Sequence, residues 1–578
     1  MKWKTLEHNG ILFPPEYEYK KLVIKIKKKK IQLNELQEEM AWAWVAKRNT
    51  PYINDKVFIK NFLNDFKKLF PKETFSGIEM CDIDFSEIIK FQEKQKEYNS
   101  KPEIKKQLSI KRKRNREILK EKYGYAKVDG IKTEMGNYMV EPPGIFMGRG
   151  EHPFRGKWKK RTYPEEVTLN LGKQFTIPKT PIPNRKWKKI INDQESTWMA
   201  CWNDELTHKT KYVWLGDSSS IKQQQDRTKY DKALILNKSI GIIRNHIAKG
   251  MESKNIKEKK IATVAYLIDE LAMRVGDEKD KDEADTVGAT TLRVEHVEIK
   301  NNNIKFDFLG KDSVKWQKSL SGEENKQLVN NLKEFMDEKG KNELIFDNIN
   351  SESVNKFFGK SMKKITAKVF RTYHASNEVV DYLQEHKIHG SDSPDVKIFT
   401  AKMANLKAAI QCNHKRTPPK NLQENINKKK EKHKEINKKL KDIKIQMNNK
   451  EYKCQICDEI VMLENHKLNC ENSKYHKKEP SMKKKIERQE KNILKEKEKL
   501  QKTYTKLEER SEKLKLKIKL DSETKDYSLN TSLRNYIDPR IYKKWSDDAE
   551  MDWKKLYPAT LQKKFLWVDS EEKQTKSI

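Results

Sequence analysis

Four residues in the lysine-rich carboxy-terminal third have the types and spacing of a metal site. Cys454-x2-Cys457-x8-His466-x3-Cys470 offers two thiolates from a Cys-x-x-Cys knuckle, then a His and a Cys four apart that share one face of a helical turn. Tetrahedral closure on a structural zinc ion is the chemistry this set predicts. Ile456, Ile460, Val461, Met462 and Leu468 would form a small core dependent on the metal. The x8 gap is short for common fingers, His476 is a competing ligand, and unligated thiols on a basic turn are the alternative. Other motifs fail on spacing. Gly150 through Gly156-Lys157 does not have the length of a phosphate-cradling loop and runs into Trp158, which disfavours ATP use. The acidic run from Asp277 to Asp285 lacks the glycine and closing glutamate of a calcium loop and reads as a solvated turn. No catalytic metal is evident.

The chain around these residues is strongly cationic. Its 123 Lys and Arg against 86 Asp and Glu leave +37 over 578 residues, so a polyanion is the first partner to consider. Only 35% of residues are hydrophobic, below the roughly 45–50% of ordinary domains, which predicts exposed helices and several cores rather than one. Met1 to Pro15 has no apolar signal region and no stretch approaches the ~18 uncharged residues of a membrane span, so a soluble intracellular protein is expected. The other cysteines, Cys81, Cys201 and Cys412, do not suggest a disulfide framework.

The first half reads as mixed α and β. Leu22, Ile24 and Ile26 alternate like a strand, Asn34 caps a helix through Val45, and Ile59 to Phe70 is a second helix with an aromatic side. Ser100-Lys101-Pro102-Glu103 has the form of a capping box opening a very basic helix that contains Lys111-Arg112-Lys113-Arg114, a run suited to phosphates or to nuclear import. Residues 137–190, broken by Pro and Gly, predict a basic β and loop surface. Trp198 to Trp202 with Lys211 to Leu215 predicts a hairpin, and Ile221–Gly250 and Ile256–Val275 predict helices. Strands are expected at Val294–Ile299 and Ile304–Leu309, with Lys311 just past the second, then helices at 323–338, 351–370 and 396–412. Residues 421–520 carry 28 Lys and 2 Arg against 17 acids with no Gly, Trp or Phe, so they predict no globular core. Ile436, Leu440, Ile443 and Met447 step 4, 3, 4, and Ile486, Ile493, Leu500, Leu507 and Leu514 recur at sevens. That is the seam of an antiparallel coiled-coil hairpin, a single extended helix being the alternative.

Six segments, in order, carry a resemblance. Glu141-Pro142-Pro143-Gly144, Leu271 to Gly276, Phe306 to Ser313, Thr366 to Tyr373, Cys412-Asn413-His414 and Thr531 to Arg540 resemble eukaryotic-type DNA topoisomerase IB. The match covers nearly the whole chain from Trp3 to about Asp569, weakening only in 421–520, and the long amino-terminal arm of nuclear relatives lies outside it. The resemblance implies an α+β multidomain DNA clamp. Residues 1–216 would be a mixed α/β cap, 217–420 a mostly helical catalytic lobe, 421–520 the linker with the zinc insert at about 452–476, and 521–578 a small helical carboxy-terminal domain.

By this resemblance Tyr536 is the nucleophile that forms a 3′-phosphotyrosyl link and frees a 5′-hydroxyl. Arg274, Arg371 and His414 neutralise the phosphoryl oxygens without a metal, and Lys311 protonates the leaving 5′-oxygen. Each residue alone has an ordinary structural reading, Tyr536 as a turn aromatic and Arg274 as a helix-end cation. Their joint occurrence in matching motifs carries the assignment. Glu141, Arg149, Asp312 and Asn535 match DNA-contacting positions, and Met147 stands where the family often has a second arginine. The implied activity is ATP-independent relaxation of positive and negative supercoils of double-stranded DNA by a monomer, with no catalytic cofactor and with sensitivity to camptothecin-type inhibitors. The implied location is the nucleus, or a viral replication site or virion if virally encoded. A tyrosine site-specific recombinase and a non-catalytic DNA-binding scaffold are the alternative readings.

Overall fold

Asn34 starts the first helix by a reciprocal cap. Its side chain accepts from the Gln37 N–H, and Gln37 returns a bond to the Asn34 N–H, so α1 (Glu35–Val45) begins where the spacing placed it. Asp55 caps α2 (Lys56–Lys67), whose Phe58, Phe62 and Phe66 are buried. Trp44 of α1 stacks on Phe62 with ring centroids 4.5 Å apart, and these rings form one core with Ile24 and Ile26 of the strand Val23–Ile26. This is a computed structural model. It describes residues 1–569 apart from 28, 149, 278–286, 302, 420, 449–450, 454–459 and 463–479. The chain divides into two compact units, Met1–Phe370 with Ala559–Ile578, and Arg371–Pro558.

In the first unit α3 (Ser86–Ser100) leads into the basic α4 (Pro102–Tyr123). The expected capping box does not form. Ser100 Oγ donates backwards to the Glu97 carbonyl, and Pro102 alone, needing no N–H partner at the first position, opens the new helix. A second core lies between the sheet of Leu6–His8, Tyr125–Val128 and Ile131–Glu134 and a four-stranded sheet that contains the expected hairpin, Trp198–Asn203 with Thr210–Trp214.

Ser219 caps α5 (Ser220–Met251) and Asn255 caps α6 (Ile256–Leu271). A Cβ on Gly250 would stand 2.7 Å from the Ala262 methyl, so glycine there permits the close approach of α5 to α6. The sequence predicts α6 through Val275, but it ends four residues earlier at Leu271, and the next residue, Ala272, adopts φ 51°. Arg274 and Val275 have left the helix because their carbonyls accept from the N–H groups of Ala289 and Thr290. Val294–His296 is a 3₁₀ turn, and the strand begins at Val297; Val297–Lys300, Asn303–Gly310 and Val314–Ser321 form an antiparallel meander. After α7 (Lys326–Met336), the single helix expected over 351–370 is two, α8 (Ser351–Ser361) and α9 (Ala367–Glu385). Lys364 at φ 68° turns the chain between them, and the Asn355 side chain accepts from the Ala367 N–H.

The second unit takes over within α9 and continues through α10 (Pro394–Gln411), α11 (Leu422–Asn448), α12 (Pro480–Glu523), α13 (Leu529–Asn535) and α14 (Pro539–Asp548). The pairs Lys429 with Asp521 and Asn437 with Ser511 run in opposite senses along the chain, so α11 and α12 lie antiparallel. Ile426 and Ile436 are buried on the α11 seam, and Leu500, Leu507 and Leu514 are half-buried on α12. The predicted zinc ligands Cys454, Cys457, His466 and Cys470 lie outside the described residues. Helix α15 (Ala559–Lys564) belongs to the first unit, where Lys564 pairs with Asp226 of α5 and Trp567 stacks on Tyr230 at 6.2 Å. No helix among the described residues is long and apolar enough to cross a membrane.

Candidate active site

Helix α10 ends on a left-handed residue. Asn413 takes φ 52°, which asparagine tolerates better than most residues, and the His414 N–H turns back to the Ala409 carbonyl. This ending explains the Cys412-Asn413-His414 sequence: the left-handed step directs His414 inward, where it is 6% exposed. The His414 carbonyl then accepts from the Ser528 N–H, tying the end of α10 to the start of α13.

Tyr536 follows the end of α13. Its N–H donates to the Ser532 carbonyl, and two residues later Asp538 caps α14 by accepting from the Arg540 N–H, with Pro539 at the first helical position. The tyrosine therefore sits on a short bridge between two helices, and Ser376 of α9 fixes that bridge. Ser376 Oγ donates to the Tyr536 carbonyl at 3.3 Å and accepts from the Asp538 N–H at 3.2 Å.

Arg371 is near the start of α9 and is 4% exposed. Its Nη2 donates to the Cys412 carbonyl at 2.7 Å and lies 3.3 Å from His414 Nε2. The guanidinium carbon stands 5.1 Å from the centre of the Tyr536 ring, and the His414 and Tyr536 rings are stacked with centroids 5.1 Å apart. On the opposite edge of the imidazole, Nδ1 lies 2.7 Å from Ser532 Oγ. Arg371, His414 and Tyr536, far apart in sequence, thus form one buried cluster in the second unit. An oxyanion placed here meets a fixed guanidinium fork and an imidazole beside a phenol.

Arg274 and Lys311 belong to the first unit. The strip Val287–Thr291 stitches their segments together: the Val287 N–H donates to the Leu309 carbonyl and the Ala289 N–H to that of Arg274. Gly276 at φ 82° faces Gly288, and a Cβ on Gly288 would lie 2.5 Å from the Gly276 Cα, so only glycine allows the two strands to touch. Lys311 starts the turn of the Asn303–Gly310 and Val314–Ser321 hairpin, where Gly310 pairs with Val314. Its side chain is exposed and forms no hydrogen bond or ion pair among the described residues.

Of the predicted DNA contacts, Glu141 is paired with Lys159 and, at 3.6 Å, with Lys211. Asn535 is exposed and returns a bond from Nδ2 to the Thr531 carbonyl. Arg149 lies outside the described residues, as does the Asp312 side chain. The neighbouring Gly150 packs on Ser313, whose Oγ a Cβ at 150 would approach to 2.2 Å, so this loop meets the Lys311 turn. Among the described residues no group of three or more His, Cys, Asp or Glu is placed to hold a metal.

Sequence reasoning missed Ser376 and Ser532. Ser532 had a signal: it lies four residues, one helical turn, before Tyr536 inside a quoted motif. Ser376 lay in none of the matching segments.

Three stretches of the chain match known families. Residues 1–215 match the DNA binding fragment of eukaryotic DNA topoisomerase I, 218–447 its catalytic core, and 508–576 a C-terminal topoisomerase domain. The chain is 36% identical over 574 residues to DNA topoisomerase 1 beta of Arabidopsis thaliana, covering 98% of this chain and 58% of that protein. It is 33% identical over 585 residues to DNA topoisomerase 1 of Homo sapiens, covering 98% and 71%, and 34% identical over 627 residues to that of Candidozyma auris, covering 98% and 82%. The chain spans little more than half the length of its plant and Drosophila melanogaster relatives, 58% and 54%.

Proposed function

The chain belongs to the eukaryotic DNA topoisomerase I family, and we propose that it relaxes supercoiled duplex DNA by transient cleavage of one strand. The observation that carries this reading is the buried cluster of Arg371, His414 and Tyr536. Tyr536 Oη gives its proton to water as it attacks the phosphorus, the bond from phosphorus to the 5′-oxygen breaks, and a 3′-phosphotyrosyl ester remains. Arg274 and Arg371 with His414 neutralise the nonbridging oxygens as charge gathers there. Lys311 delivers a proton to the departing 5′-oxygen, and in religation takes it back as that oxygen attacks the ester. The phosphodiester energy is kept in the tyrosyl link, so neither ATP nor a catalytic cofactor is needed to reseal. Torsion in the DNA drives rotation between the two steps.

A formal charge of +37 supports duplex DNA as the partner without base-specific readout, because phosphate contacts dominate such affinity. Glu141, Arg149, Asp312 and Asn535 are the contacts we assign near the cleaved step, where a camptothecin-type inhibitor stacked at the nick would prolong the covalent complex. The working division is the one expected from the sequence, 1–216, 217–420, 421–520 and 521–578, acting as a monomer in the nucleus, with α11 and α12 as a coiled-coil linker. A zinc ion on Cys454, Cys457, His466 and Cys470 rests on sequence spacing alone, and metal analysis of protein purified without chelator tests it.

The function is tested by plasmid relaxation in EDTA without ATP. Wild type should relax supercoils of both signs and leave a trappable covalent adduct, and Tyr536→Phe should do neither. Full relaxation by Tyr536→Phe would sink the assignment.

A further inference from the structure

The His414 ring is held at both nitrogens. Nε2 lies 3.3 Å from Arg371 Nη2, and Nδ1 lies 2.7 Å from Ser532 Oγ. A guanidinium only donates, so with Arg371 directed at Nε2 the neutral ring carries its proton on Nδ1 and Ser532 Oγ accepts it. A phosphate oxygen only accepts. For His414 to donate to one, the proton must sit on Nε2, which turns Nδ1 into an acceptor in need of a donor. A hydroxyl serves both states: rotation about the Cβ–Oγ bond changes Ser532 from acceptor to donor without moving a heavy atom.

The surroundings of Ser532 fit that task. It is fully buried on α13, and Oγ makes no hydrogen bond other than that to His414 among the described residues. Its carbonyl accepts from the Tyr536 N–H at 2.9 Å, so the residue that holds the imidazole also holds the backbone of the nucleophile. We propose that Ser532 is a positioning residue that locks the His414 imidazole in place and lets it exchange tautomers when a DNA phosphate replaces Arg371 at Nε2. It touches no reacting atom itself. Without it Nδ1 loses the Ser532 hydroxyl, and the ring is held less firmly toward the phosphate. The inference rests on reading His414 as the phosphate donor.

The test is single-turnover cleavage of a nicked suicide duplex, with DNA affinity measured separately for both Ser532 forms on a Tyr536→Phe background. Ser532→Ala should slow cleavage about tenfold to a hundredfold with DNA affinity unchanged. On a His414→Ala background the same substitution should change the cleavage rate less than about twofold, because Ser532 then has nothing to position. Should Ser532→Ala fold poorly, Ser532→Cys keeps the volume while offering only a weak donor and acceptor, and it should show the same loss and the same dependence on His414. Cleavage at the wild-type rate by the serine variants would overturn the proposal. So would an equal loss with and without His414, or a parallel fall in DNA affinity, since both mark a merely structural residue. Wild type that forms no covalent adduct would instead overturn the underlying reading of function.

Discussion

The two units hold their shares of the predicted chemistry in different ways. In Arg371–Pro558 the functional side chains are buried and touch one another: guanidinium on carbonyl, imidazole on hydroxyl, phenol against both. In Met1–Phe370 the backbone is what is fixed. Arg274 and Lys311 are positioned by stitched carbonyls and a tight hairpin, while the lysine ammonium projects into solvent. The difference teaches that preorganisation can reside in the side chains or in the chain that carries them. Groups that must meet charge as it forms gain from being desolvated and oriented beforehand. A proton donor that follows a moving leaving group gains from a rigid base and a free tip.

The comparison is broken most directly at Tyr536. Tyr536→Phe should abolish adduct formation altogether while the protein stays folded, since the ring contacts survive loss of the hydroxyl. A large fall in melting temperature would show that the phenol is structural. Next, Lys311→Ala should lower cleavage about 10²–10⁴-fold. A substrate with sulfur in place of the scissile 5′-oxygen, whose thiolate leaves without a proton, should restore most of that loss, whereas Arg371→Ala should not be rescued. Absence of rescue would remove the general-acid role.

The two arginines sharpen the contrast further. Arg274→Ala and Arg371→Ala should each slow cleavage about 10²–10³-fold. Arg371→Ala should also destabilise its unit, by about 1–3 kcal/mol, because it strips a donor from the buried Cys412 carbonyl. Calorimetry of Arg371→Ala decides it, and a stability equal to wild type would show that the Cys412 contact contributes nothing.

The smallest effect lies in the scaffold of the first unit. Lys260 and then Lys339 hold the Asp347 carboxyl down to about 2, below its ordinary 3.8. A depressed carboxyl adds stability that is present above about pH 4 and lost as the pH falls through about 2. Asp347 is part-exposed, so screening limits the gain to ~0.5 kcal/mol. Asp347→Asn should therefore melt slightly below wild type at pH 6, with the gap narrowing at pH 3. A gap that stays constant would exclude the ion pairs as its source.

Much of this architecture was legible where one residue's local chemistry decides the outcome. Asn34 before a periodic run, alternating apolar residues at Leu22 to Ile26, and aromatic spacing in α2 each act over a single turn or strand, and each element formed. The antiparallel pairing of α11 and α12 was the expectation from the apolar repeats, with one extended helix as the alternative, and the pairs Lys429 with Asp521 and Asn437 with Ser511 decided between them. Legibility ended where distant segments compete for the same backbone groups. Thr290 and Ala289 take the carbonyls that would have continued α6, and Ser100 bonds to the turn behind it rather than capping the one ahead.

The chain by itself determined which residue types were on hand for phosphoryl chemistry, and in which motifs, because those follow from side-chain chemistry and local propensity. Only the tertiary structure decided that Arg371, His414 and Tyr536 are buried together while Lys311 remains in solvent, and that Ser376 and Ser532 support the cluster. The reason is physical. A serine hydroxyl is unremarkable until burial removes water as its partner, and which group then replaces the water is set by packing among helices more than a hundred residues apart.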